Sequence, residues 1–193
     1  MKFLLQTAAV IALSTGAVAA QDWNVDVFGG LTFENDLEWD SGQYDTNAGS
    51  MFGVGISKSN VFAPNIEVGL EVSYSESVYS GNEPNYISGL AVMATVEYNF
   101  ISNGDFEAYG GIGLGAVNVT YDNSALSDKR SEVVFGGQVV LGARYAVSDT
   151  MQIFVEGRYL DTFSDAVVAR PAPSTATAEY NVGAVVAGLR IGF

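Results

Sequence analysis

The feature that most constrains this chain is an alternation of apolar residues with small or polar ones that recurs along most of its length. The clearest example reads Ile-Glu-Val-Gly-Leu-Glu-Val-Ser-Tyr-Ser at residues 66–75. A period of two places successive side chains on opposite faces of an extended strand. The three-and-four spacing of an amphipathic helix is hard to find. The pattern therefore predicts an all-β protein.

Eight segments share this alternation, and clusters of Gly, Asn, Asp, Ser and Pro separate them. They lie at about residues 23–34, 50–58, 66–75, 86–100, 106–121, 133–147, 151–160 and 180–193. The connections after the second, fourth and sixth segments are short, at residues 59–65, 101–105 and 148–150, whereas the other four are longer. This arrangement predicts an eight-stranded antiparallel up-and-down β-barrel with both termini at the end of the short turns.

The composition of the two faces predicts what each face meets. The polar face alternates Gly, Ala and Ser with single Glu, Gln and Arg residues, a mixture that fits a narrow lumen. The residues assigned to the apolar face include no Lys, Arg, Asp or Glu, and a charge at a bilayer midplane costs about 2–4 kcal/mol. Charged residues form 16% of the chain, against roughly 25% in an average soluble domain. We therefore expect a transmembrane barrel with lipid around its apolar face.

Aromatic residues gather at the ends of the segments. Two such rings are typical of the two lipid–water boundaries of a transmembrane barrel. The predicted girdle at the end of the short turns contains Trp23, Tyr98, Phe100, Phe106, Tyr145 and Phe193. The predicted girdle at the other end contains Phe33, Phe52, Tyr74, Tyr86, Phe135 and Tyr159.

The first twenty residues predict a cleaved signal peptide. Lys2 gives a positive start, residues 3–18 are mostly apolar, and small residues precede position 21. The apolar stretch is short for a spanning helix. We therefore expect residues 1–20 to be removed and residues 21–193 to form the mature outer-membrane β-barrel domain. An exported chain without Cys fits a Gram-negative envelope better than a small secreted disulfide scaffold.

Two absent residue types exclude several classes of function. The chain has no His and no Cys. It therefore cannot form a Ser-His-Asp or Cys-His nucleophile, a histidine or thiolate metal site, or a disulfide framework. Its net charge of −14 argues against nucleic acid, since phosphate is held by clustered Lys and Arg. We predict a protein that is not an enzyme and has no catalytic, cofactor or metal site.

Several motifs accompany this architecture. The fifth segment reads Ala-Tyr-Gly-Gly-Ile-Gly-Leu-Gly, the sixth ends Leu-Gly-Ala-Arg-Tyr, the seventh contains Glu-Gly-Arg-Tyr, and the last ends Leu-Arg-Ile-Gly-Phe. With its signal peptide and eight strands, the chain resembles the small outer-membrane barrels of the OmpA/OmpX type over essentially the whole mature sequence. The resemblance implies that Leu189, Ile191 and Phe193 form a C-terminal signal for the outer-membrane assembly machinery. It also implies a chain that stops at the barrel, without the peptidoglycan-binding domain of full-length OmpA.

The charged residues of the polar face are predicted to form a network in the lumen. Its members are Glu67, Glu71, Glu97, Glu107, Gln138, Arg144, Glu156, Arg158 and Arg190. Side chains can fill the interior of an eight-stranded barrel, and buried charges are tolerated when they are paired. Five Glu against three Arg leave an acidic excess, so a conducting lumen would favour cations. A structural filling and a proton or small-ion path both remain open.

The long connections carry three further features. The first contains the acidic residues Asp36, Glu38, Asp40 and Asp45. Their spacing resembles that of a calcium loop but lacks its Gly and final Glu. Specific calcium binding, a solvated loop and a loop bridged to lipopolysaccharide by divalent ions all stay open. Lys129 and Arg130 in the third connection are either solvated or in contact with lipid phosphates. The fourth connection, residues 161–178, is expected to be mobile.

These observations predict a non-enzymatic integral outer-membrane β-barrel with a side-chain-filled polar lumen and periplasmic termini. Its expected role is envelope integrity or surface interaction through four outer loops. Its expected partners are outer-membrane lipid, lipopolysaccharide and the assembly machinery, without nucleic acid, and the barrel is expected to be a monomer. The alternative function is a narrow, weakly cation-selective, porin-like channel. The enzymes of similar barrels rely on a histidine, and a soluble periplasmic binder does not explain the uncharged apolar face.

Overall fold

A computed structural model describes residues 22–33, 37–39, 42–44, 48–79, 85–123, 128–164, 166–169, 175–178 and 180–193. The regular secondary structure of these ranges consists of β-strands. None of the described residues forms a helix long and apolar enough to cross a membrane. The strands are β1 (Trp23–Phe33), β2 (Leu37–Trp39), β3 (Gly42–Tyr44), β4 (Gly49–Ser59), β5 (Ile66–Tyr79), β6 (Asn85–Asn103), β7 (Phe106–Asn123), β8 (Asp128–Ser148), β9 (Met151–Thr162), β10 (Ala166–Ala169), β11 (Thr175–Ala178) and β12 (Asn181–Gly192). The all-β prediction is confirmed, and the predicted signal peptide lies outside the described residues.

Eight of these strands close into an antiparallel barrel in the order β1, β12, β9, β8, β7, β6, β5, β4. The first and last barrel strands pair with each other, from Asn24 opposite Gly192 to Phe33 opposite Gly183. Closure gives the backbone groups of the paired residues a partner on both sides, as a lipid environment requires. The predicted eight-stranded up-and-down barrel is confirmed.

The connections divide the barrel into two different ends. The turn end carries the connections at residues 60–65, 104–105 and 149–150, together with the start of β1 and the end of β12. The Trp23 amide donates to the Phe193 carbonyl at 3.3 Å, and the Phe193 amide donates back at 2.9 Å. The opposite end, here the loop end, carries the longer connections. Short and long connections therefore fall at opposite ends, as the sequence predicts.

The long connections contain more strand than the sequence predicts. Strand β8 begins at Asp128 and pairs with β7 down from Asn123, so Lys129 and Arg130 lie in a strand and the prediction that they lie in a loop is wrong. The two strands continue past the expected boundary because their backbones pair whether or not their side chains alternate. This extension carries β7 and β8 beyond the point where β8 meets β9, at Gly136.

The first and fourth connections each contain a two-stranded hairpin, formed by β2 with β3 and by β10 with β11. No strands were predicted for these segments from the sequence. Asp36, Asp40 and Asp45 of the predicted acidic loop lie outside the described residues, as do residues 170–174, and the side chain of Glu38 is not described.

Burial follows the predicted alternation between the two faces. On β5, for example, Leu70 is 59% exposed and Glu71 is 9% exposed. The outward face is apolar over the middle of all eight barrel strands, which suits contact with lipid. Lys58 is an exception to the uncharged outer face: it points outward at the turn end, where its ammonium lies 5.8 Å from the centre of the Trp23 ring. At a lipid–water boundary, the long side chain of a lysine allows its ammonium to extend toward the lipid headgroups.

The loop-end half of the interior is filled mainly by apolar side chains. The buried apolar side chains of this half include Met51, Ile87, Val117, Val119, Val134, Leu160, Tyr180 and Val182. Inward glycines make room for bulky neighbours across the barrel. At Gly53 a Cβ would come within 2.3 Å of Phe28 Cζ, and at Gly142 it would come within 2.6 Å of the Tyr109 ring. These two glycines are required by close approach, because no larger residue fits opposite the ring.

Candidate functional site

The candidate site is the turn-end half of the lumen, where charged side chains from seven strands converge. Inward positions on β1, β5, β6, β7, β8, β9 and β12 contribute one or two groups each, because every second residue of a strand faces the interior. The nine residues predicted for the lumen all lie on this inward face. Glu97 and Glu107 are partly exposed, and the remaining seven are buried: Glu67, Glu71, Gln138, Arg144, Glu156, Arg158 and Arg190.

Arg158 joins two carboxylates at the centre of the barrel. Its Nη1 donates to Glu71 Oε1 at 2.7 Å, and its Nε donates to Glu156 Oε2 at 2.7 Å. The second oxygen of Glu156 accepts a bond of 2.8 Å from the Tyr109 hydroxyl. Charge-assisted bonds of this length are the strong ones in proteins. The cluster therefore ties β9 to β5 and β7 through the lumen.

Arg190 makes a second cluster nearer the turn end. Its Nε and Nη2 donate to the two oxygens of Asp26 at 2.7 and 2.6 Å, a bidentate arrangement. Its Nη1 donates to Glu67 Oε2 at 2.9 Å. Asp26 and Arg190 stand directly opposite each other on the paired strands β1 and β12. The pair therefore stabilises the seam at which the barrel closes.

Arg144 links the second cluster to β6 and β7. Its Nη2 is hydrogen-bonded to Glu97, and its Nη1 lies 3.7 Å from Glu67 Oε2 and 4.0 Å from Glu107 Oε2. Its Nη1 also donates to Asn99 Oδ1 at 3.5 Å. Glu67 thus lies between two arginines. One acidic residue from each of β5, β6 and β7 shares the buried Arg144: Glu67, Glu97 and Glu107.

Two aromatic rings pack against the guanidinium groups. The guanidinium carbon of Arg144 lies 3.6 Å from the centre of the Tyr109 ring, and that of Arg158 lies 3.9 Å from the centre of the Phe28 ring. Desolvated contacts of this kind add cation–π attraction to the ion pairs. Phe28 and Tyr109 therefore fill the lumen and hold the two arginines in place.

The network carries six carboxylates and three guanidinium groups, so three formal negative charges remain in excess. The carboxylates are Asp26, Glu67, Glu71, Glu97, Glu107 and Glu156. Each arginine contacts at least two of them, which explains how buried charges are tolerated there. Within the described ranges, no group of three or more His, Cys, Asp or Glu residues is placed to hold a metal ion. The ion pairs of this network can therefore link different strands of the barrel to one another across the lumen.

Several members of the lumen, among them Asp26 and Tyr180, were missed by reasoning from the sequence. Asp26 lies on the polar face of the first segment, so the alternation carried a signal that could have found it. Tyr180 precedes β12, and its hydroxyl reaches Ser75 on β5 at 2.6 Å. A Cβ at Gly89 would lie 2.4 Å from the same hydroxyl oxygen. Since β12 and β6 stand on opposite sides of the barrel, this one ring crosses the loop end of the lumen.

A cavity of about 520 Å³ opens at the turn end and stops at the ionic network. Its inner wall consists of Glu67, Arg144 and Arg190, and Asp105 and Asp149 stand among the residues around it. The cavity is therefore a polar vestibule below the charged clusters.

The aromatic and C-terminal residues singled out by the sequence lie on the outward face. Toward the turn end these are Trp23, Tyr98, Phe100, Phe106 and Tyr145, together with Leu189, Ile191 and Phe193 of the last strand. Toward the loop end they are Phe33, Phe52, Tyr74, Tyr86, Phe135 and Tyr159. The rings of Phe52 and Tyr74 pack 5.2 Å apart on neighbouring strands.

Comparison with known proteins agrees with this architecture. The family model described as the outer membrane protein beta-barrel domain matches residues 5–193. No curated protein sequence matches the chain. The fold is similar to Neisserial surface protein A, with a TM-score of 0.60 and 14% identity over 90% of this chain and 98% of that one. It is also similar to OprG of Pseudomonas aeruginosa, with a TM-score of 0.58 and 15% identity over 89% and 96%. A third similar structure is Ail of Yersinia pestis in complex with the heparin analogue sucrose octasulfate, with a TM-score of 0.52 and 12% identity over 89% and 97%. At these identities the likeness shows the fold.

Proposed function

Since the chain belongs to the outer membrane protein β-barrel domain family, and is thus an outer-membrane barrel, we propose that it is a sealed, non-enzymatic member. Its role is envelope integrity or surface interaction through the loop end. One fold can carry many activities, so the lumen and the two ends of the barrel indicate its role.

The filling of the lumen is the observation that carries this proposal. An ion entering from the turn end meets Arg144 and Arg190, each held by two or more carboxylates. Beyond them it meets Arg158 between Glu71 and Glu156, and then the buried apolar layer with the Tyr180 ring. Passage would require breaking buried ion pairs and desolvating the ion against apolar side chains, both of which are unfavourable.

The loop end supports surface interaction. Strands β7 and β8 pair up to Asn123 and Asp128, and two hairpins are added there, β2 with β3 and β10 with β11. In small outer-membrane barrels long connections face outward and short turns face the periplasm. We therefore assign the loop end to the cell surface and both termini to the periplasm.

The remaining parts of the proposal follow from the sequence. Residues 1–20 are removed as a signal peptide, and the assembly machinery reads Leu189, Ile191 and Phe193. The barrel is a monomer in contact with outer-membrane lipid and lipopolysaccharide.

A narrow, weakly cation-selective channel is the second candidate. The vestibule brings water to the ionic network, and the lumen has three more carboxylates than guanidinium groups. A path past the paired side chains would therefore favour cations.

Electrophoresis and conductance together test the two candidates. The mature protein is extracted in detergent, its folding is verified by a mobility that changes on heating, and it is inserted into planar bilayers. We expect no steady conductance from the unaltered barrel. A folded Arg144→Ser and Arg158→Ser double variant supplies the matched control for an opened lumen. Steady cation-selective steps from the unaltered barrel would establish the channel and refute the sealed lumen.

A further inference from the structure

The connection between β4 and β5 differs from the other two turns at the turn end. It spans residues 60–65 and reads Asn-Val-Phe-Ala-Pro-Asn. The other two turns have two residues each, at 104–105 and 149–150, and each contains an aspartate. One turn of the three therefore has an apolar tip, whereas the other two present a carboxylate.

Phe62 at this tip is 92% exposed, more than any other large apolar side chain that the structure describes. Its φ of +67° lies in the left-handed region, which residues other than Gly and Asn rarely adopt. Asn60 and Asn65 on either side also have positive φ, at +57° and +67°. Exposure of the Phe62 ring to water is unfavourable, and so is the left-handed conformation of its backbone. Burial of the ring in an apolar environment would remove the first of these two costs.

Hydrogen bonds hold the turn in this conformation. The Val61 amide donates to the Ile66 carbonyl at 3.0 Å, and the Ile66 amide donates to the Ala63 carbonyl at 3.3 Å. The Asn65 amide donates to Asn60 Oδ1 at 3.3 Å. The exposed ring is therefore carried by an ordered turn.

The turn that carries Phe62 is flanked by residues of the lipid-facing surface, while its own Asn60 and Asn65 line the vestibule. Four residues before Phe62, Lys58 lies over the Trp23 ring on the outer face, and four residues after it, Ile66 pairs with Tyr98 of the turn-end girdle. Aromatic rings and lysines in this position are typical of a lipid–water boundary. Lys58 would also attract the phosphates of lipid headgroups.

We propose that Phe62 is an interfacial anchor whose ring inserts into the leaflet on the turn side. The bilayer is the occupant that the geometry favours, because the barrel is already embedded in it and the girdle leads directly to the turn. The ring therefore meets lipid at high effective concentration without a further partner. An anchor at the turn between β4 and β5 would restrain how deeply the barrel sits in the bilayer and how far it tilts, since interfacial anchors influence both.

Spin labelling at single cysteines tests the proposal directly, because the chain has no natural cysteine. Phe62→Cys is labelled and reconstituted in vesicles of phosphatidylethanolamine and phosphatidylglycerol. Tyr98→Cys supplies the lipid-facing control, and Asp149→Cys supplies the control for a turn in water. Collision rates with oxygen and with a water-soluble nickel chelate are then compared. We expect the oxygen-to-nickel ratio at position 62 to exceed that at position 149 several-fold and to approach that at position 98.

A ratio at position 62 equal to that at position 149 would overturn the anchor and leave the ring available to a protein partner. Because a label changes the side chain, the natural ring is measured as well. In bicelles we expect nuclear Overhauser contacts between the Phe62 ring and lipid methylene protons, with Phe52 as the lipid-facing control. If the folded barrel shows lipid contacts for the Phe52 ring and none for the Phe62 ring, the proposal is refuted.

Discussion

Replacing Arg158 by methionine removes the cation that two buried carboxylates share. The arginine side chain is 5% exposed, and those of Glu71 and Glu156 are 11% and 4% exposed. Methionine fills much of the same volume beside Phe28 but neutralises neither acid. The variant therefore tests whether the lumen depends on charge pairing or only on filling.

The magnitude follows from the burial of the three groups. Removing one partner of a buried ion pair costs about 3–5 kcal/mol, because an uncompensated charge is left behind. After the change, Glu156 keeps its bond from Tyr109 and Glu71 keeps a 3.4 Å contact with Gln138. We therefore expect Arg158→Met to lower the free energy of unfolding by about 3–5 kcal/mol rather than by the sum of two such losses.

A compensated variant separates charge from packing. Arg158→Met combined with Glu71→Met and Glu156→Met removes the whole cluster, and buried ion pairs replaced by well-packed hydrophobic residues of similar volume are often neutral or stabilising. We expect this triple variant to lie within about 2 kcal/mol of the parent. Lys58→Met is the matched surface control, because its single cation–π contact is worth no more than about 1 kcal/mol.

Urea titration of the barrel in lipid vesicles measures these differences, with tryptophan fluorescence and the heat-dependent electrophoretic mobility as two independent readouts. A loss for Arg158→Met no larger than that for Lys58→Met would refute the claim that the buried pairs hold the lumen. So would a triple variant as unstable as the single one, because packing rather than charge would then explain the loss.

Three further predictions use the same titration. Gly142→Ala places a Cβ 2.6 Å from a tyrosine ring carbon and should cost about 1–3 kcal/mol by overpacking. Gly157→Ala meets nothing closer than 3.9 Å and should change stability by less than about 0.5 kcal/mol; equal effects would contradict the close approach. Leu141→Arg puts a charge on the lipid face and should cost about 2–4 kcal/mol, whereas a neutral result would argue against lipid contact there. Tyr180→Phe leaves the Ser75 hydroxyl without its 2.6 Å partner and should cost about 1–2 kcal/mol. Adding Ser75→Ala should recover part of that loss, and no recovery would mean that the unpaired Ser75 hydroxyl is not its cause.

The sequence predicts the strands and their faces because that information is local. Whether Leu70 faces lipid or the lumen depends on its own polarity and on that of Gly69 and Glu71, its neighbours in the chain. A charge in lipid is costly at each position separately, so the alternation persists along every membrane-spanning strand. The short turns are equally local, since few residues separate the strands that they join.

The extent of the strands at the loop end was beyond that reasoning. Residues 128–132 read Asp-Lys-Arg-Ser-Glu, a stretch without apolar alternation, yet they pair with β7. Above the lipid boundary neither face must be apolar, so backbone pairing extends the strand without leaving a pattern in the side chains. The hairpins of the first and fourth connections were missed for another reason: their strands have only three or four residues each, too few to show a period.

The pairing inside the lumen depends on contacts that no local pattern describes. Asp26 and Arg190 are 164 residues apart and meet only because β1 and β12 close the barrel in one register. Phe28 and Tyr180 are large rings at inward positions, and each needs a glycine on another strand, Gly53 or Gly89, to leave space for it.

By itself, then, the sequence determined that the chain forms eight strands with an apolar outer face and a charged inner one, because lipid acts on each residue independently. The tertiary structure decided which carboxylates share Arg144, Arg158 and Arg190, where the rings close the lumen, and which turn presents Phe62. Those outcomes depend on the register and closure of the whole barrel, which bring together residues far apart in the chain.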